Sequence, residues 1–266
     1  MNKTKILLVG DIVGRPGRET LKRFLDKNKD NYDLVIVNSE NSANGFGLTG
    51  KLADELLSWG CDVLTSGNHI WDKREIYEYL DGAPRALRPL NYPPESPGRG
   101  YVVVEDKKKN KIAVVSLQGR VFMPPTDCPF QKIREAVDEI RTDTKLIIID
   151  FHAEATSEKL AMAWYLDGYV SLVAGTHTHV QTADNKILPE GTGYITDIGM
   201  TGSDNGIIGM STESVLPKFM TAMPQKFLLA EGKERINAIV AEINVDTGEC
   251  ISIERLNKSL IEIELS

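Results

Sequence analysis

All four histidines of the 266-residue chain, His69, His152, His177 and His179, stand in short polar segments that follow apolar runs. These segments are Gly67-Asn68-His69, Asp150-Phe-His152 and Gly175-Thr-His177-Thr-His179. Two further runs end in Gly10-Asp11 and Asn38-Ser-Glu40-Asn41, which add carboxylates and amides. Imidazole, carboxylate and side-chain amide together suit Mn²⁺, Fe or Zn²⁺ better than Mg²⁺ or Ca²⁺. Two ions held about 3.5–4 Å apart need a carboxylate between them to relieve their repulsion. Glu40 is placed to supply it, with Asp11 terminal on one ion. His177 and His179 are two residues apart, which puts both on one face of a strict strand, while the Gly175 turn leaves them free to straddle two ions.

Each segment alone has a plainer reading. Asp11, after a strand and before a helix, is a natural turn or helix-capping residue. Asn38-Ser-Glu40-Asn41 is a polar loop, Asn68-His69 a turn, and His152 a hydrogen-bonded structural histidine. What separates the readings is that five strand ends carry such residues at once.

The segments can meet only if their strands are parallel neighbours, and the chain reads as strand alternating with helix. Continuous apolar runs at Lys5–Val9, Leu34–Val37, Asp62–Ser66, Lys145–Ile149 and Val170–Ala174 predict buried strands. Helical spacing is found at about Arg18–Lys27, from Thr49 (capping Leu52, Leu56 and Trp59, with Gly60 at the end), at about Gln131–Arg141, from about Ser157 to Leu166, and near Ser214–Met220. Tyr101–Glu105 and Lys111–Leu117 predict a strand pair turned at Asp106–Asn110, where Lys107-Lys-Lys109 reads as a solvated turn. Short strands follow at Lys186–Leu188 and Tyr194–Asp197, and Ile236–Val245 and Cys250–Arg255 form a hairpin through Asp246-Thr-Gly248. The carboxyl ends of parallel strands in an α/β sheet open on one crevice. Gly14-Arg-Pro-Gly17 and Asn44-Gly-Phe-Gly47 adjoin it and read as plain turns rather than phosphate loops, although either could lay backbone N–H groups or Arg15 on a phosphate. Met200, Met210, Met220 and Met223 read as packing residues. Trp71 and Phe46 fit base stacking and core packing equally well.

With 41% hydrophobic and 26% charged residues the chain has a globular composition, and its net charge of −7 argues against a face for duplex nucleic acid. The apolar run Ile6–Val9 is too short for a signal-peptide core, and no stretch nears the ~18 apolar residues of a membrane span. Cys61, Cys128 and Cys250 are odd in number and widely spaced. They read as free thiols, so the expectation is a cytoplasmic protein without a membrane partner.

Gly67-Asn-His69 and His177-Thr-His179 resemble motifs of the calcineurin-like metallophosphoesterases, whose set is D-x-H, G-D-x-x-D, G-N-H-D/E, a later H, and G-H-x-H. Val13 stands where the first histidine belongs, Asn38-Ser-Glu40-Asn41 replaces the aspartate motif, and Gly67-Asn-His-Ile-Trp-Asp72 spaces its acid differently. Gly10-Asp-Ile-Val-Gly14, Asn38-Ser-Glu-Asn41, the Gly67–Asp72 segment, Asp150-Phe-His-Ala-Glu154 and Gly175-Thr-His-Thr-His-Val180 together resemble a narrower group, the bacterial YmdB family, from the first strand to the C-terminal hairpin. The resemblance implies an α/β fold, a four-layer α/β/β/α sandwich, over a single domain 1–266. It also implies a di-iron or di-manganese centre that hydrolyses 2′,3′-cyclic nucleotides to nucleoside 3′-phosphates by attack of a metal-held hydroxide. On this pattern Asp11, Asn41 and His179 bind the first metal, Asn68, His152 and His177 the second, Glu40 is shared, and His69 is the general acid.

Two rivals stand beside this expectation. One is a broad-specificity phosphomonoesterase or nuclease using the same metals. The other is a metal-stabilised regulatory protein with incidental turnover, against which an unligated His69 argues. The expected partner is a small cyclic nucleotide or phosphate ester. A homo-oligomer is left open.

Overall fold

The computed structural model describes residues 2–265. Thirteen strands run in chain order: β1 (Lys3–Val9), β2 (Asp11–Ile12), β3 (Leu34–Asn38), β4 (Val63–Thr65), β5 (Tyr101–Glu105), β6 (Lys111–Gln118), β7 (Ile147–His152), β8 (Leu172–Thr176), β9 (Lys186–Ile187), β10 (Gly193–Ile195), β11 (Met200–Ser203), β12 (Glu234–Asn244) and β13 (Cys250–Ser259). The helices are α1 (Gly14–Asn28), α2 (Gly50–Ser58), α3 (Ile76–Gly82), α4 (Pro129–Ile140), α5 (Thr156–Tyr165), α6 (Thr212–Thr221) and α7 (Leu260–Leu265).

The strands form two sheets, one in the order β2-β11-β12-β1-β3-β4 with β13 beside β12, the other in the order β5-β6-β7-β8-β10-β9. The period-2 alternation of strands explains why they stack. Leu7, Val9, Val35 and Val37 pack with Leu21, Phe24 and Leu56 of the helices on one side, while Ile6, Leu8, Leu34 and Ile36 point the other way. There they meet Ile112, Val114, Ile148 and Leu172 of the second sheet, whose opposite face carries Ala113, Ile147 and Ile149 against Ile133 and Met162 of α4 and α5. The result is the α/β/β/α sandwich, with strands buried on both faces and therefore apolar almost throughout. A one-residue register slip would exchange the two faces of a strand.

Thr49 caps α2 as expected, its side chain accepting from the Leu52 N–H, and Gly60 follows with φ 105°. The Asp106–Asn110 turn also forms, but Lys107 and Lys108 are not simply solvated. Their ammonium groups donate to the Lys29 and Lys3 carbonyls and pin the hairpin to the first sheet.

Three expectations are corrected. Gly14-Arg-Pro-Gly17 is not a plain turn but the first turn of α1, where Pro16 costs no hydrogen bond. Gly17 is required there because a Cβ would lie 2.4 Å from the Thr201 carbonyl oxygen. Arg15 lies on the helix surface beside Glu19, away from the crevice. Met200 and Met210 pack as expected, but Met220 and Met223 are 82% and 61% exposed. Helices α3 and α7 and strands β2 and β11 go unpredicted. Among the described residues no helix is long and apolar enough to cross a membrane.

Candidate active site

The space between the sheets changes from apolar to polar along one direction. On β7, Ile148, Asp150 and His152 share the face turned to the first sheet, because they are two residues apart. The same step takes β3 from Ile36 to Asn38, β4 from Val63 to Thr65, and β8 from Ala174 to Thr176. Asp150 is the hub of this polar row. Its buried carboxylate accepts from Asn38 Nδ2 at 2.9 Å, from Thr176 Oγ1 at 2.6 Å and from the Thr65 hydroxyl. Burial raises the Asp150 carboxyl above its usual value, and those three donors oppose the rise.

One step further lie the residues singled out in the sequence. Asp11 on β2, Glu40 and Asn41 after β3, and Asn68 after β4 come from the first sheet; His152 on β7 and His177 and His179 after β8 come from the second. The first sheet thus brings only oxygen donors and the second only imidazoles. Glu40, His152 and His177 form a group able to hold a metal ion, with ligand atoms all within 4.8 Å of one another. His152 Nε2 lies 2.9 Å from Glu40 Oε1 and 3.0 Å from His177 Nδ1. His179 Nε2 is 3.9 Å from Asp11 Oδ1. Gly67 makes the crowding feasible, since a Cβ there would fall 2.0 Å from His152 Cδ2. Asp11 does not cap α1, whose N-cap is Val13, and Asn68-His69 opens a short 3₁₀ helix at Asn68–Asp72.

Each imidazole is oriented from behind, which decides which nitrogen faces the centre. His152 Nδ1 donates to Thr176 Oγ1 at 2.9 Å, and Thr176 in turn donates to Asp150, so Nε2 is left pointing inward. His179 Nδ1 donates to the Ile208 carbonyl at 3.1 Å. His177 is reversed, with Nε2 3.1 Å from Glu154 Oε2 and Nδ1 inward. His177 and His179 both have positive φ, 100° and 66°, a strained conformation for residues other than glycine. The loop holding them is clamped at Thr178, whose N–H and hydroxyl both donate to Asp197.

The residues fit a cationic group. Six buried side-chain polar atoms among the described residues lack a hydrogen-bond partner, and four are Asp11 Oδ1, Glu40 Oε1, Asn41 Oδ1 and Asn68 Oδ1. Unpaired buried oxygens are costly; Glu40 Oε1 lies 2.9 Å from His152 Nε2, and Asp11 Oδ1 3.8 and 3.9 Å from His152 and His179, a cluster that bound positive charge would satisfy. Asn41 Nδ2 is spent on the Gly45 carbonyl at 2.9 Å, which turns its oxygen inward. Without a metal, a proton serves instead: burial depresses the His152 imidazolium, but the Glu40, Asp11 and Asp150 carboxylates outweigh it and raise the pKa to about 9. Burial raises Asp11 to about 6 against the pull of His179 and His152. For Glu40 burial is overcome by His152 and His69, and the pKa falls to about 2. Burial and the neighbouring His152 lower His177 to about 3.

His69 stands apart from this ring of donors. Its N–H donates to Glu40 Oε2 at 3.1 Å, its Nδ1 lies 2.8 Å from Asp72 Oδ2, and Phe46 packs edge-on at 5.1 Å between ring centroids. Asp72, displaced in sequence, therefore reaches the histidine through the 3₁₀ turn. Trp71 packs between Tyr77 and Tyr92, whereas Phe46 lines the cavity beside Glu40 and His69. The sequence reading misses Asn38, Thr65, Asp150, Thr176, Glu154, Asp72 and Asp197 as supports. Asn38, Thr65 and Thr176 close β3, β4 and β8, and Asp150 lies two residues before the end of β7, so the last inward-facing polar residue of each strand was the signal that could have found the first four.

The chain is 49% identical over 254 residues, 95% of its length and 96% of the relative's, to the 2′,3′-cyclic-nucleotide 2′-phosphodiesterase of Bacillus subtilis strain 168. Its fold matches the crystal structure of a hypothetical protein from Thermus thermophilus with a TM-score of 0.90 and 40% identity, covering 96% of this chain and 99% of that one. It likewise matches a novel phosphatase from Mycoplasma pneumoniae, with a TM-score of 0.90, 35% identity, and coverage of 97% and 94%. The family of YmdB-like proteins matches residues 7–256, so the chain belongs to that family.

Proposed function

We propose that residues 1–266 act as one unit, a dinuclear-metal phosphodiesterase that hydrolyses 2′,3′-cyclic nucleotides to nucleoside 3′-phosphates with His69 as general acid. The observation that carries this reading is the cluster of Glu40, His152 and His177, with Asp11 and His179 beside it and buried oxygens of Asp11, Glu40, Asn41 and Asn68 left without a hydrogen bond, next to a fourth histidine that the cluster does not need. Asp11, Asn41 and His179 would hold one ion and Asn68, His152 and His177 the other, with Glu40 between. Mn²⁺ or Fe fits this mixed oxygen and nitrogen set, and Zn²⁺ is also compatible. Bound there, two cations supply charge to offset that of the phosphate and lower the pKa of a water. The activity for which the Bacillus subtilis relative is named supports the substrate class.

His69 does the remaining work. With Nδ1–H held by Asp72, its Nε2 is the nitrogen free to carry a proton toward substrate. As water oxygen bonds to phosphorus and the P–O2′ bond breaks, the departing 2′ oxygen takes that proton. The product is a nucleoside 3′-phosphate. Chromatography of a 2′,3′-cyclic nucleotide digest tests the regiochemistry: the 3′-phosphate is expected, and a predominant 2′-phosphate overturns it. Equal or faster hydrolysis of linear phosphate monoesters would favour the broad phosphatase instead. Burial raises the Cys61 thiol and pushes that of Cys250 to about 12, which suits the unreactive thiols of a cytoplasmic enzyme.

A further inference from the structure

The cavity over the candidate centre holds about 370 Å³, within the range of a small-molecule site. Its floor is polar, with Glu40, Asn41, His69, His177 and His179. The rest of its lining is largely apolar: Phe46, Ile207, Phe219 and Phe227 contribute to it, and a phosphate has no use for them. Two of the three aromatic rings are already engaged: Phe46 packs on His69, and the Lys218 ammonium sits 5.0 Å from the centroid of Phe227. Phe219 is left 77% exposed on α6, at the cavity rim. A large aromatic ring left in water beside a cavity is an unsatisfied surface that a flat apolar ligand would cover.

We propose that Phe219 is a specificity-determining residue that stacks on the aromatic base of a nucleotide whose phosphate lies on the histidine floor. This rests on the function proposed above and adds where the base goes. The Phe46, Ile207 and Phe227 side chains close the apolar side of the base site, so discrimination between esters of equal phosphate chemistry lies in these apolar residues and Phe219 rather than in the metal-side residues.

The test uses the whole protein and two probes, adenosine 3′-phosphate and inorganic phosphate, with binding measured by titration calorimetry. Phe219→Ala should weaken adenosine 3′-phosphate roughly tenfold, in the range of base–aromatic stacking, and leave inorganic phosphate unchanged. Phe219→Trp should restore the lost affinity. Equal weakening of both probes, or none, overturns the proposal. Folding is not in question because Phe219 is solvent-exposed, and an unchanged melting temperature checks this. In kinetics, KM for a 2′,3′-cyclic nucleotide should rise in Phe219→Ala while KM for glycerol 1,2-cyclic phosphate, which has no base, stays constant. Cyclic esters hydrolysed with both KM values unmoved would remove the base site and leave the reaction standing. Base-dependent binding without hydrolysis of any cyclic ester would do the reverse.

Discussion

Lys159 Nζ lies 2.7 Å from Asp197 Oδ2, and both side chains are essentially excluded from water. Asp197 also accepts from the Thr178 N–H at 3.1 Å, the Thr178 hydroxyl at 2.8 Å and the Gly199 N–H at 2.8 Å. One buried carboxylate thus fixes the residue between His177 and His179. Removing it strands an ammonium in the core, at a cost of about 3–5 kcal/mol. Asp197→Ala should therefore lower the denaturant midpoint strongly, while Asp197→Ala combined with Lys159→Met should recover much of the loss. A double variant no more stable than the single one would mean that the pair contributes packing rather than compensated charge.

Metal content tests whether Glu40 is shared between two ions and Asp11 terminal on one. After reloading with Mn²⁺, the wild-type protein should hold two ions per chain by elemental analysis. Glu40→Ala should lose both, because two cations then repel across an open site, and Asp11→Ala should mainly empty one. A wild-type stoichiometry of one or below rejects the dinuclear assignment.

His69→Ala should keep both metals and the fold yet lose about 10²–10⁴-fold in turnover on a cyclic nucleotide. The loss should shrink on a p-nitrophenyl ester, whose leaving group departs without a proton. Asp72→Asn should cost less, about 10–100-fold, as the loss of an orienting partner. Loss of metal from His69→Ala would make this histidine a ligand and defeat its role as the acid.

Above about pH 6.5, where the lowered His177 and Glu40 groups no longer add stability with pH, the metal-free protein should become less stable as pH rises. Asp11 titrates near 6 when folded against 3.8 for a free carboxyl, so its contribution is present at low pH and falls away between those values. His152 titrates near 9 against 6.5, so its contribution is complete below 6.5 and lost as pH climbs through 9. Metal binding needs both groups deprotonated, so the gain in melting temperature on adding Mn²⁺ should widen from pH 6 to pH 9. At pH 7.5 loading should release protons, seen as a dependence of the calorimetric heat on the buffer's ionisation enthalpy. A constant gap and buffer-independent heat would contradict this.

The sequence was most legible where chemistry and periodicity coincide. Asp11 and His152 stand on strands and Glu40, Asn41, Asn68, His177 and His179 follow them, so polar residues at the ends of apolar runs were visible as a group. Most of their supports were harder to see because they act across the fold. Asp150 reaches Thr65 and Asn38 on the other sheet, and Asp197 holds a loop on the far side of β10. Helix α3 was hidden by its short length and the Pro-rich segment after it. Met220 on α6 and Met223 just past its end are exposed, and an apolar side chain does not by itself show whether anything packs against it.

The division of donors by sheet, oxygens from one and imidazoles from the other, has a mechanical meaning. A cation held jointly by both sets is a non-covalent rivet through the sandwich, placed at the end where the apolar filling gives way to polar residues. Emptying it would loosen the mouth of the sandwich first, while the apolar filling between the sheets stays packed. Amide exchange in β3, β7 and β8 would then read occupancy as a gradient along each strand, steepest at the carboxyl end and flat at the other.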